Sequence, residues 1–240
     1  LSAIFKAQGI MTKRRLTASA AIMGLVLSYS IPLDTPAIDA VAIVVTGMIL
    51  MFVWSLLMFS RDHNVTGVIA AAGAVMFAMV YLGFMLGFLL AIRRMHSAWW
   101  IVGIIFTIKS ADTGAYFTGR AIGKHKLIPW LSPGKTWEGT IGGVIAAMLV
   151  GYGLAAASGW LSDPADHVAK PWGLVLGGVF AIVGQFGDLT MSLCKRGAGL
   201  KDSSTILPGL GGVLDVLDSP LLVAPVAYWM LCVIPANLPG

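Results

Sequence analysis

Charge is scarce in this sequence. Only 11% of its 240 residues are Asp, Glu, Lys or Arg, and 58% are hydrophobic, where a soluble domain carries about 25% charge. So little charge cannot cover a water-facing surface, which excludes an ordinary soluble enzyme. Cysteine is nearly absent: Cys194 and Cys232 supply neither a disulfide framework nor a paired zinc motif. The histidines His63, His96, His125 and His167 are dispersed, with no HExxH, so a bound transition metal is not expected. Nor do the basic residues form a stripe interleaved with aromatics, which argues against a nucleic-acid partner. No internal repeat is apparent, and no linker divides the chain into soluble parts.

What the chain has instead is apolar length. Runs at about 16–31, 37–60, 65–92, 98–118, 137–157, 171–192 and 219–236 approach or exceed the roughly 20 residues that span a bilayer. The reading is an all-α integral membrane protein, a polytopic bundle of about 7–9 transmembrane helices. It forms one continuous membrane domain, with N-terminal helices over 1–97 and a catalytic region over 98–240. The run 65–92 fits one tilted helix, or two short ones broken near Gly83 and Gly87. The glycine-rich 205–218 fits a broken or re-entrant segment, tolerated at membrane depth where it is buried or lines a wet cavity. Leu1 is not a methionine, so the numbered chain is expected to begin inside a longer one. Lys13, Arg14 and Arg15 ahead of an apolar run mimic a signal peptide, but a first membrane helix entered from the cytoplasm is preferred. Two runs separate the basic loops 119–136 and 193–204. Two crossings return the chain to the same face, and the lysines and arginines assign that face to the cytoplasm.

The charge that exists is concentrated. Of 16 basic and 11 acidic residues, seven fall in 109–138 and seven in 188–218, half the charge in a quarter of the chain. A charge at the bilayer centre costs about 2.5–3.5 kcal/mol on insertion scales, so it is rarely kept without a partner or a task. Lys109 and Asp112, three apart on one helix face, either neutralise each other or belong to a site. Asp215 and Asp218 are also three apart, with no cation between them. They make a candidate site for Mg²⁺, which takes oxygen ligands, commonly one or two carboxylates plus substrate phosphates. Asp188, Ser192 and Lys195 follow at i, i+4 and i+7, on a face that continues to Lys201 and Asp202. Cations beside acidic metal ligands are what phosphoryl or nucleotidyl transfer needs. The plainer alternative is that Lys195 and Arg196 anchor a helix end at the headgroups.

In "SPGKTWEGTIGG", Ser132 to Gly143, the residues Gly134, Lys135 and Thr136 share part of a P-loop, but that motif needs glycine where Pro129 stands. What remains is a Ser-Pro turn, a lysine and a threonine entering a helix whose N-terminus favours an anion. Glu138 either shares in that site or merely caps the turn. The spacings Gly83-xxx-Gly87 and Gly139-xxx-Gly143 allow close helix packing or a homodimer face.

The stretch from Ser192 to Asp218 resembles the signature of the phosphatidate cytidylyltransferase (CDP-diacylglycerol synthase) family. Ser192, Lys195, Arg196, Lys201, Asp202, Ser204, Leu207, Pro208, Gly211, Gly212, Val213, Asp215, Leu217 and Asp218 stand at its spacing. "ADTGAYFTGRAIGKHKLIPWLSPGKTWEG", Ala111 to Gly139, is similar to that family's second conserved block. The resemblance covers the C-terminal half. Cys194 replaces an aliphatic residue, Leu210 stands where the family has histidine, and Val216 where it has arginine.

The resemblance implies transfer of CMP from CTP to phosphatidic acid, giving CDP-diacylglycerol and pyrophosphate for phospholipid biosynthesis. It assigns catalysis to Lys195, Arg196, Lys201, Asp202, Asp215 and Asp218. Nucleotide binding falls to Asp112, Arg120, Lys124, Ser132, Lys135, Thr136, Gly211 and Gly212. Mg²⁺ is expected on Asp215 and Asp218 with Asp188 or Asp202, with room for a second, monovalent cation. The lipid phosphate is the nucleophile and is already ionised, so no strong general base is demanded. A polar cavity facing the cytoplasm, within a bacterial inner membrane, completes the expectation. Two rivals stand beside it. An ion-coupled secondary transporter would bind H⁺ or Na⁺ at Asp112, Asp188 and Asp218, but implies repeated halves. A CTP-dependent lipid kinase would transfer the γ-phosphate instead.

Overall fold

The computed structural model describes residues 1–32, 35–60, 66–161, 167–204 and 212–233. Two compact units emerge, Leu1–Ala91 with Cys194–Leu214, and Ile92–Leu193 with Asp215–Gly240. Helix dominates both, because a backbone in hydrocarbon must satisfy its own N–H and C=O groups. Five helical runs among the described residues are long and apolar enough to cross a membrane: Ala37–Phe59, Val68–Met95, Trp137–Ser158, Lys170–Gly197 and Val213–Cys232. The protein is thus an integral membrane protein by length and composition.

The first unit opens with α1 (Ser2–Ala7), α2 (Arg14–Ser30) and α3 (Ala37–Ser60). There follows one unbroken helical run made of α4 (Val68–Ala78), a π-helical turn Met79–Phe84 and α5 (Met85–Met95). Of the two forms expected for 65–92, the single helix is the one found. Leu16, Ala20, Met51, Phe59, Ala71, Val75 and Met79 form its core. The π-turn lies where α2 crosses. A Cβ built on Gly83 would sit 2.6 Å from the Ala21 carbonyl oxygen and 2.8 Å from Gly24 Cα, so backbone touches backbone there. Small residues permit that approach in membranes. Gly87 in turn abuts the Ser28 side chain. The Gly83-xxx-Gly87 spacing therefore serves packing within the chain.

In the second unit α6 (Ala98–Ile122) leads through a two-stranded antiparallel hairpin, β1 (Lys126–Ile128) and β2 (Ser132–Thr136), into α7 (Trp137–Leu161). The all-α expectation is corrected here by that hairpin, whose register pairs Lys126 with Thr136 and Ile128 with Ser132. Its strands are too short to show periodicity in the sequence. α8 (Lys170–Gly197) and α9 (Val213–Val233) follow. Gly139 and Gly143 of α7 face the Ala115 and Ala111 carbonyl oxygens of α6, which a Cβ would approach to 2.8 and 2.6 Å. The second small-residue spacing is thus also an intramolecular contact. Gly151 meets Gly173, and Gly177 meets Ala147, joining α7 to α8 through backbone atoms.

Replacing Gly83 by leucine should lower thermal stability in detergent, by about 1–3 kcal/mol from overpacking against backbone that cannot swing away. Gly73→Ala, where a Cβ meets nothing within 4 Å, should leave melting unchanged or raise it. Equal melting of Gly83→Leu and the parent protein would contradict the backbone contact.

Candidate active site

The hairpin is closed by side chains on either side of it. Thr136 precedes the first turn of α7, and its Oγ1 accepts the Gly139 N–H at 3.1 Å, the bond that an N-cap threonine makes. The Trp137 amide donates to the His125 carbonyl oxygen at 2.9 Å. Glu138 reaches back the same way. Its two carboxylate oxygens accept the His125 backbone N–H at 3.3 and 3.2 Å, and His125 Nδ1 lies 2.6 Å from Oε1. Of its two readings, Glu138 takes the structural one: it fastens the hairpin.

Fastened this way, the hairpin presents Lys135 and Thr136 to a cavity of about 280 Å³ in the second unit. Asp112 and Tyr116 of α6, Thr140 of α7 and Gln185 of α8 also line it. Lys135 forms an ion pair with Asp188 of α8, two partly buried charges that neutralise each other. Asp112 is paired as well, its Oδ2 3.0 Å from Lys109 Nζ. Arg120 donates to the Tyr116 hydroxyl at 2.9 Å, which turns one more cation toward the phenol at the rim.

α8 also meets α9 in this unit. A Cβ on Gly187 would lie 2.7 Å from the Asp218 carbonyl oxygen and 3.0 Å from Ser219 Cα. Asp218 is 3% exposed, and its Oδ1 accepts the Ser219 N–H at 2.6 Å and the Ser219 hydroxyl at 3.2 Å. Asp215, half-buried, stands one turn earlier on α9, near its N-terminus. Of the 205–218 stretch, 205–211 lie outside the described residues; from Val213 the chain is helix, and both aspartates ride on it.

In the first unit, the end of α8 carries Lys195 and Arg196. The Leu200 amide bonds the Lys195 carbonyl at 2.9 Å and the Gly199 amide bonds the Arg196 carbonyl at 3.0 Å. Gly199 has φ +66°, completing a Schellman cap that only a residue tolerant of the left-handed region makes cheaply. Lys195 is 9% exposed, unlike a headgroup anchor, whereas Arg196, Lys201 and Asp202 are exposed. Gly212 lies against Ser203 and Ser204, close enough that a Cβ would fall 2.7 Å from the Ser204 hydroxyl oxygen.

Among the expected nucleotide-binding residues, Asp112, Lys135 and Thr136 line one cavity, with Asp188 tied to its lysine. Ser132 opens β2, and Lys124 is exposed between α6 and the hairpin. Gly211, Leu207, Pro208 and Leu210 lie outside the described residues. Tyr116, Thr140 and Gln185 were not foreseen. Helical spacing was the available signal, since they stand at i+4 from Asp112, i+4 from Thr136 and i−3 from Asp188.

A description of the cytidylyltransferase family matches residues 3–234. The chain is 38% identical to a phosphatidate cytidylyltransferase of Chlamydia muridarum over 76% of its own length and 62% of that protein. It is 33% identical to the phosphatidate cytidylyltransferase of Bacillus subtilis, over 92% of this chain and 81% of the other. With that of Brucella suis the identity is 47%, over 53% and 45%. The chain thus spans about 62% of the length of the chlamydial relative. It belongs to the cytidylyltransferase family.

A double-mutant cycle of Lys135→Ala and Asp188→Ala, read by thermal unfolding, should return a coupling of about 0.5–3 kcal/mol. Strict additivity would show that the pair does not hold the hairpin to α8.

Proposed function

We propose that this protein transfers CMP from CTP to phosphatidic acid, forming CDP-diacylglycerol and pyrophosphate. Membership of the family supports this, as do relatives named phosphatidate cytidylyltransferase. The observation that carries it is the polar cavity in which Lys135, Thr136 and Asp112 converge from hairpin and helix within an apolar bundle. Both substrates are anions, so their approach requires cations and hydrogen-bond donors held in place. Lys135 offers an ammonium with three donors, and Thr140 and Tyr116 add hydroxyls beside it. Lys195, Arg196 and Lys201 are assigned to further phosphate oxygens. A phosphatidate oxygen forms the new bond to the α-phosphorus of CTP. The bond from that phosphorus to the bridging α–β oxygen breaks, and its electrons leave with pyrophosphate. The nucleophile is already ionised, so the protein's task is positioning and charge neutralisation.

Mg²⁺ fits the donors available. Asp215 and Asp218 offer carboxylate oxygens from one helix, the ligand type a hard cation takes. Among the described residues no three His, Cys, Asp or Glu gather into a metal-holding group, so substrate phosphates and water would supply the remaining ligands. A bound Mg²⁺ would offset charge on the phosphates as pyrophosphate leaves. Asp188 and Asp202 are the candidates for adjoining ligands, and a second, monovalent cation belongs to the same proposal.

For the membrane, α2 and α6 complete seven crossings with the five apolar runs. At about 1.5 Å per residue, the 25 residues of α6 extend about 37 Å, beyond the roughly 30 Å hydrocarbon core. The Lys109–Asp112 pair lowers the cost of its charges. The hairpin and the Lys195–Asp202 loop then share the cytoplasmic face of a bacterial inner membrane, and the polar cavity opens toward it. A homodimer would need a face other than the two glycine spacings, which are occupied within the chain.

Purified protein given Mg²⁺, phosphatidic acid and CTP labelled in the α- or the γ-phosphate should yield lipid carrying the α-label. The γ-label in lipid would indicate a lipid kinase, and no labelled lipid would defeat both. Asp218→Asn should reduce turnover by about a hundredfold or more, while near-normal activity would refute its assignment as a metal ligand.

A further inference from the structure

A second cavity of about 280 Å³ lies between α6, α7 and α8, lined by Trp99, Gly103, Phe106, Leu154, Leu176 and Phe180 among others. We propose that it receives one acyl chain of the phosphatidic acid and limits the chain length accepted, an inference that rests on the function proposed above.

Three observations carry it. Neighbouring residues line the two cavities: Thr107 the apolar one and Ile108 the polar one, and Phe180 and Ala181 divide in the same way on α8. Along α6 the order is therefore Tyr116, Asp112, Ile108, then Thr107, Gly103, Trp99. Polar lining followed by apolar lining is the order of groups along a phospholipid, phosphate first and hydrocarbon after. Next, the apolar cavity asks for no polar ligand. Its Ser158 hydroxyl is already used, donating to the Ala155 carbonyl at 2.7 Å. An apolar cavity stays dry and takes apolar ligands. Finally, at about 280 Å³ it falls just below the range of about 300–1,000 Å³ for pockets that hold a whole ligand, which suits a single chain. From Thr107 to Trp99 the helix rises about 12 Å, so the lining extends well past the polar site before it ends at the paired tryptophans Trp99 and Trp100.

The length limit can be moved without disturbing the helix contacts. A Cβ at Gly103 meets only Leu154 Cδ1, at 3.7 Å, so Gly103→Phe puts its ring into the cavity, and Leu154→Ala opens it. Turnover of α-labelled CTP is measured with short-, medium- and long-chain phosphatidic acids. Gly103→Phe should lower the ratio of long-chain to short-chain kcat/KM at least about tenfold, and Leu154→Ala should shift the ratio the other way. An equal change at every chain length in both variants would overturn the proposal. Alongside, phosphatidic acid brominated on its acyl chains should quench tryptophan fluorescence, with a component lost in the Trp99→Phe, Trp100→Phe protein and weakened by Gly103→Phe. If no chain length gives labelled lipid while this component persists, the transfer reading fails and the chain site stands. If turnover is normal and the component is absent, the chain site fails alone.

Discussion

Apolar side chains gain nothing by leaving lipid for a protein interior, so membrane helices hold together where their atoms make close contact. In the second unit that contact is backbone on backbone, at Gly139 and Gly143 against α6 and at Gly151 and Gly177 against α8. The cavities are what these contacts leave over. The contact glycines border the cavities, Gly139 and Gly143 lining the polar one and Gly151 and Gly177 the apolar one, where Leu154, Phe106 and Phe180 add larger side chains to the wall. A glycine stripe thus decides both which helices are neighbours and where a ligand has room. The same constraint shapes the first unit, where the π-turn places Gly83 against Gly24. A widened turn of this kind often marks a point where ordinary helix geometry cannot meet a packing demand.

Charge obeys a second constraint, that an ionised group in a low-dielectric setting is kept with its opposite. Lys109 stands with Asp112 and Lys135 with Asp188, and as a third contact the exposed His125 ring bonds Glu138. The pairs differ in reach. The first lies within one helix and neutralises it locally. The third closes a hairpin of a dozen residues. The second spans from β2 to α8 and so fixes where the lysine points. It joins β2 to α8 at the polar cavity and so links the motif around Lys135 to the helix leading to Lys195.

The sequence made the long helices easy to read. The run 37–60 coincides with α3, and 98–118, 137–157 and 171–192 fall inside α6, α7 and α8 with a few residues to spare. Hydropathy ends a helix where charge begins, yet helices continue into charged turns; α8 therefore extends to Gly197, past Lys195 and Arg196. The same bias delayed the expected start of the last span to 219, although α9 begins at Val213. Asp215 is favoured there by the positive end of the helix dipole, a stabilisation no hydropathy sum contains. The hairpin was illegible for another reason. Its strands have three and five residues, and the contact that closes it links His125 to Glu138, which no periodic pattern announces. Of the candidate site, the charged members were legible because charge is rare in this chain. Tyr116, Thr140 and Gln185 were not, since a neutral polar residue draws no notice until helix packing shows which way it faces.

Lys135 and Asp188 are far apart in the chain, yet the connection between them is simple. α7 carries the chain away from the hairpin and α8 brings it back, so a lysine just before the first helix and an aspartate late in the second arrive at the same level. One residue before Asp188, Gly187 lets α9 approach until Asp218 and Ser219 touch it. A side chain at position 187 would push α9 away and take Asp218 with it. The cation that faces the polar cavity and the buried carboxylate of α9 are therefore coupled through three consecutive steps: an ion pair, a peptide bond and a backbone contact. Two sequence blocks, one at the hairpin and one at the start of α9, are joined in this way. Of these three steps only the ion pair depends on side chains; the peptide bond and the α8–α9 contact at Gly187 are set by backbone.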